Sequence, residues 1–312
     1  MSMPKRFRTL RPWLIETFGG PVHRVALDAG STCPNRDGTR GRGGCFYCDV
    51  EGSGTDALRS GQELGEQLRL GLERVAGRDP EGRVIAYFQS YSNTYVDPDR
   101  FGEMLACVEP YLGKEVACVS VATRPDTLPE SSMVVLERLN QRVPVWVELG
   151  LEAADDKILT DINRLHTVQE FSEAVERCHG AGLSVVGHAI LGLPGDGREG
   201  ARRTADLLAQ SAVAGVKVHQ LMVLKKTQFA QMWKSGDLTT LDKETYVQWL
   251  ADFVERLGPE QVLHRLTGDA PEEKRLAPHW GVHKNLIREG LEAELIQRGT
   301  HQGSHAQTPA QP

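Results

Sequence analysis

Three cysteines, Cys33, Cys45 and Cys48, stand close together in the glycine-rich and charged run CPNRDGTRGRGGCFYCD. The run follows directly on a short apolar segment at residues 25–27 that is typical of a strand. A closed structural zinc site uses four ligands, whereas this run supplies three soft thiolates and no obvious fourth. Three thiolates favour a metal centre that keeps one coordination position open for chemistry.

The other three cysteines, Cys107, Cys118 and Cys178, lie in apolar or helical contexts. We expect them to be buried, inert thiols outside any site. The sequence has no apolar run long enough to cross a bilayer and no N-terminal secretory signal. We therefore expect a cytoplasmic location without membrane association, and six reduced cysteines in the 312 residues.

The composition is that of an ordinary globular protein, with 40% hydrophobic and 25% charged residues. A formal net charge of −6 argues against wholesale wrapping by nucleic acid but allows a local basic groove. The predicted N-terminal arm, residues 1–21, carries basic side chains at Lys5, Arg6, Arg8 and Arg11. We expect the arm to be solvated and partly docked; the alternative is an arm that faces phosphates.

Apolar strand candidates alternate with amphipathic helix candidates along most of the chain. The predicted strands cover residues 22–28, 83–88, 115–121, 144–151, 183–191 and 216–224. The predicted helices between and after them cover residues 60–77, 99–110, 130–140, 167–181 and 199–213. This alternation indicates parallel βαβ units in an α/β fold. We predict a partial (β/α)6 TIM-type barrel over residues 22–227.

The pattern changes beyond about residue 225. Helices over 242–257 and 282–298 and a short strand over 261–266 predict a C-terminal α+β appendage, residues 228–299, that packs on the barrel. Residues 300–312 are polar with two prolines and predict a disordered tail.

Polar side chains occur within or just after the predicted strands, where parallel α/β folds place their ligand sites. Glu148 stands in an otherwise apolar strand, and a buried carboxylate is costly unless it is paired or used. Arg124 and Arg164 are candidate partners or carboxylate clamps. His188 and His219 lie on neighbouring strands and are either core histidines or substrate-facing acid–base groups.

Six stretches of the chain together resemble the radical S-adenosylmethionine (radical SAM) superfamily. They are LDAGSTCPNRDGTRGRGGCFYCD, AYFQSYSNTY, ATRPD, VELGLEAADDKILTDINRLH, GHAILGLPGD and VKVHQLMVLKKT, in the order of the family. More narrowly, the chain is similar to the bacterial YhcC-like group, which is related to the radical SAM part of the Elongator catalytic subunit. The first cysteine gap is eleven residues instead of three, as occurs in that group.

The resemblance implies a [4Fe–4S] cluster held by Cys33, Cys45 and Cys48, with one iron left for S-adenosylmethionine. It implies Glu148 at the ribose or amino end of that molecule and Arg164 at its carboxylate. The further candidate cofactor-binding residues are Phe46, Tyr47, Ser90, Ser92, Asn93, Arg124, Gly192 and Pro194. The Gly-Gly-Glu motif that is familiar after strand two is absent.

The resemblance also implies reductive cleavage of S-adenosylmethionine to a 5′-deoxyadenosyl radical, with electrons from a flavodoxin or ferredoxin. The substrate is open: tRNA or other RNA, a small metabolite and a protein side chain are all compatible with the sequence. One alternative is a zinc-binding or scaffold protein with His23 or Asp49 as fourth ligand. The other is a catalytically degenerate regulator that acts through a partner.

Overall fold

The computed structural model describes residues 5–49 and 61–307. Its strands are β1 (Val22–Leu27), β2 (Arg83–Phe88), β3 (Val116–Thr123), β4 (Val145–Glu152), β5 (Ser184–Leu191), β6 (Gly215–Gln220), β7 (Val223–Leu224), β8 (Val262–Arg265) and β9 (Arg275–Ala277). Seven of them form one parallel sheet in the order β1-β2-β3-β4-β5-β6-β8. The sheet curls into a partial barrel, which confirms the predicted fold class.

Helices cover the outer face of the sheet. They are α1 (Leu10–Phe18), α2 (Pro34–Asp37), α3 (Leu64–Ala76), α4 (Pro98–Ala106), α5 (Glu130–Asn140), α6 (Asp156–Asp161), α7 (Val168–Gly180), α8 (Gly197–Gln210), α9 (Gln228–Ser235), α10 (Lys243–Arg256) and α11 (Lys284–Arg298). Two 3-10 turns lie at Glu109–Tyr111 and Pro125–Thr127. The main apolar core lies between this layer and the sheet, as in other α/β folds.

Local sequence explains where these helices lie. Thr167 caps α7 in a capping box with Glu170, which satisfies two backbone donors at the start of the helix. Gly71 lets α3 approach the sheet closely, because a Cβ there would lie 2.3 Å from Cγ1 of Val25 on β1. Helix α3 begins at Leu64, and residue 60, where the predicted helix starts, lies outside the described residues.

Two strand predictions were wrong in detail. β8, predicted within the appendage, pairs in parallel with β6 and extends the barrel sheet. The predicted strand 216–224 ends at Gln220, and the following β7 pairs antiparallel with β9. The apolar run is continuous across this break, so periodicity could not show it. The division into arm, barrel, appendage and tail stays a prediction.

The described segments nearest the two termini pack at the amino end of the barrel. Thr9 forms a bridge with β8, and Trp13 on α1 packs against Trp146, with ring centroids 5.8 Å apart. The backbone amide of Gln302 donates to Arg6 O at 2.8 Å, and its side chain is buried. The predicted disorder is therefore wrong for residues 300–307, while residues 308–312 lie outside the described ranges. In the described part of the chain, no helix is both long and apolar enough to span a membrane.

His264 makes the stability of the fold depend on pH. Its ring packs against Trp146 at 4.9 Å, and burial, together with Lys217, lowers its pKa from 6.5 to about 3. The unfolded chain therefore binds one more proton than the native chain between those values, so stability falls as pH falls below 6.5.

We expect His264→Phe to abolish this contribution, which amounts to about 2 kcal/mol between pH 6.5 and pH 5. Urea unfolding at the two pH values measures it, with exposed His279→Phe as the matched control. An equal loss of stability in the wild type and in His264→Phe would contradict this assignment.

Candidate active site

A cavity of about 350 Å³ lies inside the barrel and opens at the carboxyl ends of the strands. All three cysteines of the glycine-rich loop line it. The other predicted site residues in its lining are Tyr47, Ser92, Arg124, Glu148, Arg164, His188 and His219. The cavity thus brings together residues from the ends or interiors of several separate strands.

The cysteine loop is built by short-range backbone bonds around α2. Cys33 precedes α2, and its carbonyl accepts a hydrogen bond from Arg36 N at 2.8 Å. Cys48 N donates to Cys45 O at 2.9 Å, which forms the turn between the last two cysteines. Cys33 and Cys45 are buried, and the three thiols are free rather than paired as disulfides.

Side-chain donors point at two of the sulfurs. Asn35 Nδ2 lies 3.6 Å and Arg164 Nη1 3.9 Å from Cys45 Sγ, and Arg36 Nη2 lies 3.5 Å from Cys48 Sγ. Hydrogen bonds and positive charge stabilise a thiolate over a thiol. Burial, with Cys45 nearby, nevertheless raises the pKa of Cys48 to about 12, and a bound cation would favour its thiolate.

The chemistry of the three cysteines fits an iron–sulfur cluster, because cysteine thiolates are the usual ligands of such clusters. Within residues 5–49 and 61–307, no three His, Cys, Asp or Glu side chains are grouped as they would be around a single metal ion. His23, the suggested zinc ligand, lies near the start of β1, where Nε2 is 2.8 Å from Asp79 Oδ2. The interpretation that used it as a fourth ligand is therefore wrong.

The two aromatic residues between Cys45 and Cys48 have different surroundings. Phe46 packs edge-on against Phe229 with ring centroids 6.0 Å apart, and its backbone pairs with Ile162 and Phe229. Tyr47 lines the cavity, and its buried hydroxyl has no hydrogen-bond partner among the described residues. Of the two, Tyr47 is the residue that a bound molecule could contact.

The polar turn after β2 also separates into two kinds of residue. Asn93 Nδ2 donates to Phe88 O and Ala122 O at 3.1 and 2.8 Å, so its amide holds the turn against the sheet. The buried hydroxyls of Ser90 and Ser92 find no partner in the described ranges. Ser92 also lines the cavity, together with Gln89 and Tyr91 of the same turn, and is a candidate donor to a bound molecule.

The two predicted arginines lie close together but have different hydrogen-bond partners. Arg124 binds Asp126 through two 2.8 Å hydrogen bonds and donates to Arg164 O. Arg164 Nη2 donates to Gly150 O at 2.9 Å and lies 3.6 Å from Glu152 Oε1. Arg164 Nε is buried without a partner in the part of the chain described. Arg124 Nη1 is likewise buried without a partner in the described residues. Arg164 is the better candidate to receive a carboxylate because its guanidinium also lies beside Cys45 Sγ.

Gly150 makes room for this arrangement. A Cβ at that position would lie 2.4 Å from Arg164 Nη2 and 2.5 Å from Glu152 Oε1. Glu152 was not among the predicted cofactor-binding residues. The sequence could have indicated it, because it is a second carboxylate four residues after Glu148 on the same strand.

Glu148 is the centre of a buried polar network. Ser120 Oγ donates to Oε1 at 2.6 Å, His188 Nε2 lies 2.8 Å from Oε2, and Lys217 Nζ also donates to Oε2. Burial opposes ionisation, yet the charge of Lys217 with the His188 hydrogen bond holds the pKa of Glu148 well below 4.5. The Lys217 ammonium also lies 4.2 Å from the Tyr87 ring centroid.

Sequence reasoning missed Lys217. Its signal was available, because Lys217 stands two residues before His219 on β6 and so shares a face of the strand with it. Inward-facing charges on a buried strand are costly unless they are paired. Lys217 is thus the partner that the buried Glu148 requires.

His188 and His219 lie on adjacent strands with ring centroids 6.0 Å apart, and both line the cavity. His188 is engaged by Glu148, whereas the buried Nε2 of His219 has no partner within the described chain. Burial, with Arg265 nearby, keeps the pKa of His219 well below 6.5, so its ring is neutral. Their acid–base role stays a prediction.

Gly192 and Pro194 are not in the described lining of the cavity. Gly192 has a φ of 91° and turns the chain after β5. A Cβ at Gly192 would lie 3.0 Å from Cγ of Leu241, so the turn is also tightly packed. Their predicted position beside adenine stays a prediction.

The fold and the cysteine site define the class of protein. The model of the Radical SAM superfamily matches residues 33–208, and that of the Radical_SAM C-terminal domain matches residues 213–297. The chain belongs to the radical SAM superfamily.

Comparison with individual relatives shows which group within the superfamily the chain resembles. The chain is 38% identical to the uncharacterized protein YtqA of Bacillus subtilis over 303 residues, covering 97% of this chain and 94% of the relative. It is 32% identical to protein YhcC of Escherichia coli over 292 residues, with 93% and 92% covered. The similarity to the YhcC-like group is thereby confirmed.

A solved structure shares the fold. The Elp3 protein of the archaeon Methanocaldococcus infernus superposes with a TM-score of 0.71 at 16% identity, over 90% of this chain and 64% of that one. The chain therefore spans less than two thirds of that Elp3 chain. This likeness shows a shared fold. At the sequence level, the chain is 26% identical to Elongator complex protein 3 of Dictyostelium discoideum over 191 residues, covering 59% of this chain and 33% of that one.

Proposed function

We propose that this protein is a radical SAM enzyme in which Cys33, Cys45 and Cys48 hold a [4Fe–4S] cluster. The observation that carries the proposal is that three free cysteines from one loop share the wall of a barrel cavity with Arg164 and Glu152. Cysteine thiolates are the usual ligands of iron–sulfur clusters. Three of them leave one iron of a cube without a protein ligand.

When bound, the cluster supplies one electron that cleaves S-adenosylmethionine into methionine and a 5′-deoxyadenosyl radical, which removes a hydrogen atom from the substrate. The protein orients the reactants and excludes water. Asn35 and Arg36 donate to the cysteine sulfurs and would stabilise the thiolates. Ser92 and Tyr47 offer buried hydroxyls toward the cavity. A flavodoxin or ferredoxin is the proposed external reductant.

Anaerobic reconstitution with iron and sulfide tests this function. We expect a brown protein with cluster absorbance that changes when S-adenosylmethionine is added, and 5′-deoxyadenosine after reduction with dithionite. A colourless protein with stoichiometric zinc would overturn the proposal. A cluster-loaded protein that forms no 5′-deoxyadenosine would instead support the degenerate regulator.

Arg164 is proposed to bind the carboxylate of S-adenosylmethionine, since its guanidinium reaches the cavity beside Cys45. We expect Arg164→Met to raise the Kd for S-adenosylmethionine about tenfold or more, because a charge-assisted hydrogen bond is lost. The iron content per chain should stay at the wild-type level. Equilibrium binding to the reconstituted protein measures the Kd.

The matched control is Arg142→Met, which removes an exposed guanidinium paired with Glu109. An unchanged Kd in Arg164→Met would contradict the carboxylate role. A loss of iron in that variant would assign Arg164 to the cluster instead. The roles that the resemblance gives Glu148, at the ribose or amino end, and Ser90 and Asn93 stay predictions.

A further inference from the structure

The deeper end of the cavity presents more hydrogen-bond donors than the protein itself uses. Gly150, His188, Lys217 and Arg265 occupy successive paired positions on β4, β5, β6 and β8. Except for Gly150, each of them brings a nitrogen-bearing side chain to the lining of the cavity. This row faces the barrel interior, on the opposite side of the sheet from the helices.

Arg265 is the least satisfied member of the row. It is half-buried, yet among the described residues it forms no close ion pair with a carboxylate. Burial, with the second guanidinium of Arg24 across the opening between β8 and β1, lowers its pKa below 12.5. Glu148 and the exposed Asp269 are the carboxylates that act on it at longer range. A guanidinium without a close carboxylate keeps its N–H groups available, which favours an anion at this point.

Two further donors stand beside Arg265. Lys217 carries three N–H groups and directs one of them to Glu148. His219 is the next residue of β6 that faces the barrel interior. Its buried Nε2 has no hydrogen-bond partner among the described residues. Glu148, by contrast, already accepts from Ser120, His188 and Lys217, so its oxygens are occupied.

We propose that this inner pocket, formed by Arg265, Lys217 and His219, binds the oxyanion group of a small substrate, a carboxylate or a phosphate. The inference rests on the proposed function, because the same cavity continues to the three cysteines. A planar guanidinium matches the two oxygens of either anion.

The carboxylate of S-adenosylmethionine is a different anion in a different place. Lys217 stands three residues before the end of β6 at Gln220, which is about 10 Å along the strand. The cysteine loop follows the end of β1, where Arg36 lies beside Cys48. Arg164 lies beside Cys45 and bonds Gly150 O on β4, two strands away from Lys217 on β6 in the sheet. Two separate cationic regions thus predict two separate anions, one for the cofactor and one for the substrate.

The test is calorimetric titration of the reconstituted protein, saturated with S-adenosylmethionine, with inorganic phosphate and with malonate. We expect saturable binding of at least one of these probes, weakened about tenfold or more in Arg265→Met. The affinity for S-adenosylmethionine should be unchanged in that variant. Arg142→Met, at an exposed site, should bind the probe as the wild type does.

Each probe distinguishes a source of the anion: phosphate binding alone supports a phosphate ester, and malonate binding alone supports a carboxylic acid. Absence of binding by both probes, or equal binding by Arg265→Met, would overturn the inference. A loss of S-adenosylmethionine affinity in Arg265→Met would also overturn it and reassign the pocket to the cofactor. Failure of the proposed function is seen separately, as missing cluster absorbance, while anion binding remains measurable.

Discussion

Replacement of Cys45 or Cys48 by alanine is expected to abolish cluster binding and 5′-deoxyadenosine formation while the fold survives. Each substitution removes one of the three thiolates that line the cavity, and Met222 is the remaining sulfur-bearing side chain in its described lining. Fe–S clusters are held by cysteine thiolates, and the cofactor carries the difficult chemistry. The barrel core lies elsewhere, between sheet and helices, so unfolding free energy should change by no more than about 2 kcal/mol.

Iron and sulfide content, cluster absorbance and 5′-deoxyadenosine after dithionite reduction measure this outcome together. Cys107→Ala is the matched control, because this thiol follows α4 and is not in the described lining of the cavity. It should retain wild-type iron and activity. A Cys45→Ala protein with full iron content and full cofactor cleavage would contradict the assignment of the ligands.

The barrel was predictable because each strand and helix carries its own local pattern. Fully buried strands such as β3 and β4 appear as apolar runs, and α7 has a capping box at its start. The predictions that failed were those that assign a strand to a sheet, because this depends on tertiary pairing. β8 has the same short apolar pattern whether it joins the barrel sheet or packs beside it, and its partner β6 lies more than forty residues away.

The docking of residues 300–307 could not be foreseen for a related reason. Gln302 is a polar residue in a polar segment, and its burial follows from backbone partners at Gly258 and Gln261, with 2.7 Å to each carbonyl. Composition indicates disorder there, but it does not report on hydrogen bonds that form only when distant segments meet.

In the candidate site, too, features that are local in the sequence were predictable, whereas features that depend on tertiary contacts were not. The three cysteines are adjacent in sequence, so their proximity was readable before any fold was known. The hydrogen-bond partners of Arg124 were only partly predictable. One partner, Asp126, is two residues away in the sequence, but the other, the backbone carbonyl of Arg164, comes from another part of the barrel. Lys217 became important only when the sheet placed β6 beside β5 and its ammonium beside Glu148.

Glu148→Ala is expected to destabilise the protein by about 3–5 kcal/mol at pH 7, because it leaves the Lys217 ammonium buried without its carboxylate. Both side chains are nearly inaccessible, at 2% and 3% exposure. The double variant Glu148→Leu/Lys217→Met removes both charges with similar volumes. It should recover most of the lost stability, since a buried ion pair replaced by apolar side chains is often neutral. Urea unfolding measures all three proteins.

The pH dependence separates this explanation from a simple packing defect. Burial lowers the pKa of Lys217 to about 8 in the wild type, against 10.5 ordinarily, so wild-type stability rises above about pH 8. Without Glu148 the pKa of Lys217 falls further. The stability of the variant therefore begins to rise at a lower pH than that of the wild type. Its deficit should therefore shrink by about 1–2 kcal/mol between pH 7 and pH 9. A deficit that is constant over this range would mean that the lost packing of Glu148, and not the charge of Lys217, causes the destabilisation.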